Sequence, residues 1–504
     1  MDAQLMAEAR EVSFLTDWRI EMTIPSILGE GEQFSLRMTL FGPDALPCAG
    51  FDKPIEFEDS PGIAGLPKSV SFSKDSGGML TIDGLRALRP GAAVAKASVR
   101  GFRTEAPVRS NPAWIYKEPP FRIFWGDIHV HTYFSNCNQW SCLDPEFCYQ
   151  YARDASHLDV CAAADHLRGI AEKAEHWPRL VELVKQYHEP GRFVPLLAFE
   201  SSHKKGYGGD NNAYFGCDDA PYFWLDRDDM RGNSPAVHLR ELWKFLDETG
   251  KPYMTVPHHT GRATKNRTFD EDYYDAKREP LFEIYSSWGS SEIEHSRFPI
   301  SMGNSTEAAY YVDAIKAGCR YGVIGSSDDH ATKPGSQHRH RGKPLMFKML
   351  QGHPFKGLTA FRAHDLSRDS IWQAMQERNV YASTHFRTLV DVQIGDASMG
   401  QEVQLDSGDP LRKKRVIAVM ITNAWVEPLR VTLVRNGEDI ETRNVGAGDM
   451  DGRIAELDFI DESDIESIAL RNSRFHPEPF VAYYLRIESH CGQTQWTSPV
   501  WLNL

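Results

Sequence analysis

Along residues 116–385, short runs of apolar residues alternate with longer amphipathic stretches. Nearly every apolar run ends on a histidine or an acid. The runs at 121–129, 158–164, 193–199, 253–256, 281–285 and 321–325 have the length and bounding turns of buried strands. The stretches at 145–155, 171–187, 236–249, 306–317 and 367–378 carry helical spacing. Asp144 stands as N-cap before a proline at the first helical position, and Gly250 and Gly318 close two of the helices. Strand-then-helix units in succession predict an α/β fold built on a mostly parallel sheet or barrel. Residues 1–115 instead predict short strands at 35–41, 69–73 and 93–99, punctuated by Gly and Pro. Residues 386–504 predict strands at 415–421, 429–434, 480–487 and 495–502. The expected organisation is therefore a β-sandwich-like region over 1–115, an α/β region over 116–385 and a second sandwich-like region over 386–504. Residues 331–365 read as a long loop insertion, and loops of that length are usually functional or mobile.

The chemistry lies where the predicted strands stop. The first ends in Gly-Asp-Ile-His129-Val-His131, the second in Asp165-His166, and the third in Glu200. A later one ends in His258-His259, and the last in Ser-Ser-Asp328-Asp-His330. His-x-His on a strand sends both imidazoles to one side, because side chains alternate with period two. In a parallel α/β barrel the C-terminal strand ends share a face, so these groups would converge. Neutral imidazoles with carboxylates are ligands for zinc, manganese or iron. Any one of these motifs alone is weak, since an Asp before a helix is often only a cap. Five such strand ends together predict a metal site.

Charge narrows the partners. The chain of 504 residues has a formal net charge of −14, which disfavours a nucleic-acid backbone as partner. The one dense basic run, 338–343, is short. Eight cysteines occur without a CxxC pair, which fits reduced thiols better than a zinc ribbon or a disulfide framework. The first nineteen residues lack the apolar core of a leader, and no run reaches the roughly 18 apolar residues of a membrane span. The expectation is a cytoplasmic protein acting on a small molecule, without membrane contact. Self-association through the β-rich flanks stays open.

The motifs also resemble a known family. Gly126-Asp-Ile-His-Val-His-Thr132 with Ser135, Leu158-Asp-Val through to Asp165-His166, and Ser327-Asp-Asp-His330 resemble the polymerase and histidinol phosphatase (PHP) superfamily. The likeness covers about 120–385. Ser110-Asn-Pro, Tyr381-Ala-Ser-Thr and Trp496-Thr-Ser-Pro-Val-Trp501 extend it towards a large bacterial subgroup with β domains on both sides. The resemblance implies a distorted (β/α)7 barrel and two or three divalent ions. It assigns His129, His131, Glu200 and Asp328 to one ion and makes Glu200 a bridge to a second, which also takes His258. His166 and His330 fall to a third ion, and Asp165 orients a ligand or a water.

Two positions depart from the family pattern. Cys137 stands where a further ligand is expected; it is either a thiolate ligand or an inert buried thiol. Asp210 stands where related chains tend to carry His, and as an oxygen donor it favours manganese or iron over zinc. His259 is a candidate acid or substrate contact, or else a core histidine. Arg168, also a candidate at the catalytic site, and Arg262 can hold a phosphate or carboxylate through a bidentate fork, or pair as surface ions. Trp288 lies in a polar loop expected at the same face, Glu283 is placed to contact a ligand histidine, and His338, His340, His353 and His364 are expected in solvent. The function expected is hydrolysis by a metal-bound hydroxide, of a small phosphoester first, of an amide, ester or other C–N or C–O bond second. A non-catalytic metal-binding module is the third reading.

Overall fold

The computed structural model describes the chain except residues 1–12, 15–18, 50, 52, 100–107, 137–141, 204, 223–237, 265–266, 270–272, 302, 337–338, 341–354, 425–427, 447 and 449–453. In the N-terminal region the alternating sequence of Gln33–Phe41 buries Phe34, Leu36, Met38 and Leu40. This strand pairs antiparallel with Arg19–Thr23 on one side and Met79–Ala87 on the other. A second sheet holds Ile55–Phe57, Ser69–Val70, Lys96–Val99 and Val108–Arg109, and shares a core of Leu36, Leu40, Ile55, Leu85 and Ala97.

The central strand of the molecule is Arg122–Val130. It pairs parallel with Val160–Ala163, which pairs parallel with Val194–Pro195. Its other edge pairs antiparallel with Leu358–Ala363, which in turn pairs antiparallel with Val380–Ser383. From there the hydrogen bonding runs without a break into the C-terminal strands Thr494–Thr497, Phe480–Ser489, Leu429–Arg435 and Glu438–Val445, and with Val500–Asn503 and Glu402–Gln404 branching from Phe480–Ser489 it makes one eleven-stranded sheet. Leu389–Ile394, Arg415–Thr422 and Ala455–Asp461 form a separate antiparallel sheet.

The expected α/β architecture and its distorted (β/α)7 barrel are corrected by this topology. The described residues are mostly β, with 40% strand against 16% helix, spread over many sheets. Leu197–Ser201, Asn211–Phe215 and Tyr253–Pro257 form an antiparallel meander, and Leu281–Ser286 with Gly322–Gly325 is a separate parallel pair. The cause is local. Only nine residues separate Leu197–Ser201 from Asn211–Phe215, too few for the crossover of a dozen or more residues that parallel pairing requires. Part of the expected loop insertion, Leu358–Ala363, is a strand within the large sheet, buried at five of its six positions. The helices are also shorter than expected. Asp144 does cap, accepting from Glu146 N at 2.8 Å, but α-helix gives way to a π-helix over Tyr151–Ala155. The other expected helices appear as His176–Tyr187, Leu239–Glu248, Tyr311–Lys316 and Arg368–Gln376. Among the described residues no helix is long and apolar enough to cross a membrane.

Gly126 sits where three strands meet. A Cβ there would lie 2.8 Å from both Val160 Cβ and Val160 O, and 2.9 Å from Phe361. Gly126→Ala is therefore expected to cost about 1–3 kcal/mol in denaturant unfolding, as overpacking does. Gly408→Ala, with nothing within 4 Å, is expected to stay within about 0.5 kcal/mol of wild type. Equal stabilities for the two variants would contradict this packing.

Candidate metal centre

The ends of separate sheets are tied together where the chemistry lies. Asp328 N donates to His129 O at 2.8 Å, and His131 N donates to Asp329 O at 2.9 Å. Glu200 N donates to Asp165 O at 2.9 Å, and His258 N to Asp210 O at 3.2 Å. Isolated parallel bridges join Val130 to Asp329, His166 to Glu200 and His258 to Glu283. The expected convergence of strand ends is thus reached without the expected barrel. Two of the converging residues adopt left-handed backbone, Asp328 at φ 51° and His259 at φ 31°. Non-glycine residues are held there only when their surroundings over-determine them.

The side chains fall into overlapping groups whose donor atoms lie within 4.8 Å of one another: His129, His131 and Asp328; His131, His166 and His330; Glu200, Asp210, His258 and His259; and His129, His258 and Glu283. His129 Nε2 lies 3.6 Å from Asp328 Oδ1 and 3.8 Å from Glu200 Oε2. His131 Nε2 lies 2.9 Å and 3.4 Å from the same two oxygens. Atoms each about 2.1 Å from one ion are separated by roughly 3–3.5 Å, so the spacing suits a shared ion. Glu200 faces two ways. Its Oε2 lies 2.6 Å from His166 Nδ1, while its Oε1 lies 3.2 Å from His258 Nε2. His129 Nε2 is buried without a hydrogen-bond partner among the described residues, although its ring is held from the other side. Buried nitrogens in proteins rarely go unsatisfied, and a divalent ion fits this donor set.

The supports of the donors are polar and buried. His129 Nδ1 meets Glu283 at 3.1 Å, and the Asn212 carboxamide approaches the same nitrogen at 2.9 Å. His131 Nδ1 lies 2.9 Å from Ser135 Oγ, which donates to Asp165 Oδ1 at 2.6 Å. Asp165 also accepts from Thr132 N and Thr132 Oγ1, at 2.6 and 2.7 Å. With Nδ1 donating along this chain, His131 presents the lone pair of Nε2 to the carboxylates. Burial, then His330 and His166, pushes the His131 imidazolium down to about 3. For His129, burial acts in the same direction, but Glu283 and Asp328 override it and hold the pKa well above the ordinary histidine value. Burial would raise the Glu200 and Asp328 carboxyls; the surrounding imidazoles, His166 foremost for Glu200 and His129 for Asp328, hold both well below the usual range.

His129, His131, His166, Glu200, Asp210, His258, Asp328 and His330 therefore come together, with His259 beside Asp210 at 3.8 Å. Glu283 contacts a donor histidine as expected. Trp288 donates its indole N–H to Asp328 O at 3.2 Å and stands edge-on to His330, so it walls the site. Arg262 reaches the rim, 4.0 Å from Asp210 Oδ2. Arg168 does not join the group: it is exposed on the short helix Leu167–Ile170, with no ion pair or hydrogen bond to the donors among the described residues. His364 is exposed, as expected. Cys137, His338 and His353 lie outside the described residues, as does the side chain of His340. Asn212 and the Ser135–Asp165 contact were not foreseen as supports, since Asn and Ser near a ligand motif carry no signal of their own.

No family model matches the chain. It is 24% identical over 419 residues to an uncharacterized protein of Chlamydia pneumoniae, covering 81% of this chain and 62% of that protein. An uncharacterized protein of Chlamydia trachomatis serovar D is 25% identical over 418 residues, with the same coverage. The chain thus spans less than two thirds of the length of these relatives. Among solved structures, an engineered protein aligns over 75% of this chain and 87% of its own at 12% identity and TM-score 0.20. Escherichia coli alpha-2-macroglobulin activated by porcine elastase aligns over 96% and 33% at 7% identity and TM-score 0.16. Scores this low carry no argument about fold or function.

Glu283→Gln removes the charge behind His129 while keeping the shape of the side chain. The variant is expected to lose divalent-ion affinity by about 10–100-fold, the usual effect of an outer-shell partner, in competition with a chromogenic chelator. Unchanged affinity would show that Glu283 does not tune His129.

Proposed function

We propose that this chain is a metal-dependent hydrolase acting on a small-molecule phosphoester. The observation that carries the reading is the pairing of His129 Nε2 and His131 Nε2 with the same oxygens of Glu200 and Asp328, at 2.9–3.8 Å. The resemblance of the strand-end motifs to the PHP superfamily supports it separately. Two or three divalent ions, of zinc, manganese or iron, would be held by His129, His131, Glu200 and Asp328, by Glu200 with His258 and Asp210, and by His166 with His330. Such ions supply Lewis acidity to the bond under attack and acidify water.

The chain's own residues define the rest. Asp165, through Ser135, fixes the ring of His131, and Glu283 fixes that of His129. Trp288 limits the approach from the His330 side. Arg262, with a side chain 19% exposed, stands at the rim, where its fork can hold an anionic group. The net charge of −14 favours a small substrate over nucleic acid. The seven cysteines among the described residues are free thiols, which supports a reducing compartment such as the cytoplasm.

A second reading, hydrolysis of an amide, ester or other C–N or C–O bond, gains from one observation. Arg168 stands away from the donors, so Arg262 is the one of the two expected anion-binding arginines near them. The test is turnover after loading with zinc, manganese or iron, measured on aryl phosphate, aryl ester and anilide substrates. The proposal expects phosphate release, reduced at least about 100-fold in Asp328→Ala through lost electrostatic stabilisation. Turnover confined to the ester or anilide would select the second reading. Turnover of none, or activity unaltered in Asp328→Ala, would overturn hydrolysis at this site.

A further inference from the structure

The Arg122–Val130 strand has chemistry at both ends. Its C-terminal end carries the donors. Around its N-terminal half, at Arg122, Ile123, Phe124 and Trp125, lies a cavity of about 690 Å³. His129 lies five positions past Phe124 on this strand, about 17 Å at ~3.3 Å per residue, so the cavity and the donor cluster are distinct places. One wall comes from the N-terminal strand Gln33–Phe41, the other from the segments leading into Val160–Ala163 and Val194–Pro195. A volume of this size suits a metabolite.

The wall is rich in guanidinium groups that are unequally matched. Arg122 is paired with Glu32 at 2.9 Å, and His364 with Asp365 at 3.4 Å. Arg192 shares Glu189 and Asp154, at 3.1 and 3.5 Å, with half its side chain in solvent. Arg387 is anchored through Nη2 on the carbonyls of Ser156 and His157, at 2.9 and 3.1 Å, neither of which carries a compensating charge. The Arg37 guanidinium, its side chain 28% exposed, has no hydrogen bond among the described residues, and its nearest acid, Asp159, stays 3.9 Å away. Asp159 is itself engaged, accepting from Trp125 N at 2.9 Å. Asp159 thus faces both Arg37 and Arg387, with Asp154 a further acid towards Arg37 and Glu21 towards Arg387. Burial depresses both guanidinium pKa values, the Arg387 value to about 10, and Asp159, with Asp154 for Arg37 and Glu21 for Arg387, acts in the opposite direction. In a chain whose overall charge is −14, three guanidinium groups, Arg37 and Arg387 half-buried and Arg192 half in solvent, thus border one cavity, where their N–H groups can take up an anion.

We propose that this cavity is a binding site for a phosphate-bearing small molecule, whose dianionic group sits between Arg37, Arg387 and Arg192. Guanidinium forks match the oxygens of a phosphoryl group in pairs. The remaining volume, bordered by Phe34, Ile24 and Leu366, accommodates the body of the molecule. The site is independent of the donor cluster and of the hydrolytic reading. Because its walls come from two regions of the chain, its occupant would also brace the N-terminal sheets against the central strand.

Inorganic phosphate, titrated calorimetrically into the full chain, tests this. Asp328→Ala removes the donor cluster as a competing phosphate site. Saturable phosphate binding is expected to persist in Asp328→Ala, to weaken at least tenfold when Arg37→Gln is added, and to recover in part with Arg37→Lys. A thermal melt checks that each variant is folded, and should Arg37→Gln unfold, Arg192→Gln carries the same comparison from a half-exposed side chain. Binding absent from Asp328→Ala, or binding in which the arginine substitutions leave the affinity unchanged, would overturn the proposal. Neither result would bear on hydrolysis at the donors, which the turnover assay reads separately.

Discussion

Glu200 and Asp328 are carboxylates held out of water within 4 Å of one imidazole nitrogen, His129 Nε2, with Glu283 on the far side of the same ring. Placing such groups together is a costly local demand. Two like unit charges 4 Å apart repel by about 4 kcal/mol at the effective dielectric near a protein surface, and removing each from water costs several more. Imidazoles on every side offset that repulsion, and much of the surrounding structure serves to keep them there. Divalent ions would offset it further, which connects the electrostatics of the donors to the proposed chemistry.

The supporting structure follows from that demand. Strand ends from separate sheets are pinned to each other by single backbone hydrogen bonds at the donors rather than by long ladders. The Asp328 backbone is held in a left-handed conformation by its own bond to His129 O. The Asp165–Ser135–His131 chain sets a ring from behind. Because the large sheet continues from Arg122–Val130 through Val380–Ser383 into the C-terminal strands, the platform under the donors is shared with the C-terminal region. Its N-terminal half is shared with the N-terminal sheets through the arginine-lined cavity.

Most donors were legible because they lie at the end of an apolar run, where a buried strand gives out and a side chain can face a common centre; Asp210, which precedes Asn211–Phe215, was legible only through the family resemblance. Fold was less legible. Burial periodicity marks Arg122–Val130, Val160–Ala163 and Gly322–Gly325 as strands but is silent on the direction of their partners. The antiparallel placement of Asn211–Phe215 and Leu358–Ala363 therefore could not be read. Residues 358–363 fall within the expected loop because the stretch before them, with its Gly, Pro, His and Arg, dominates the local composition. Arg168 shows the same limit at a single residue: two positions past His166 is near in sequence, yet the short helix Leu167–Ile170 leaves the side chain in solvent. Glu283 was recoverable as a lone acid inside an apolar strand, a placement that desolvation makes costly without a partner.

The account's central claim is that these buried donors hold ions. Elemental analysis of freshly purified protein, beside His129→Ala and Asp328→Ala, measures it directly. Two or three equivalents of zinc, manganese or iron in the wild type, falling in both variants, is the predicted result. A metal content well below one equivalent, the same in all three proteins and not restored by adding these ions, would contradict it.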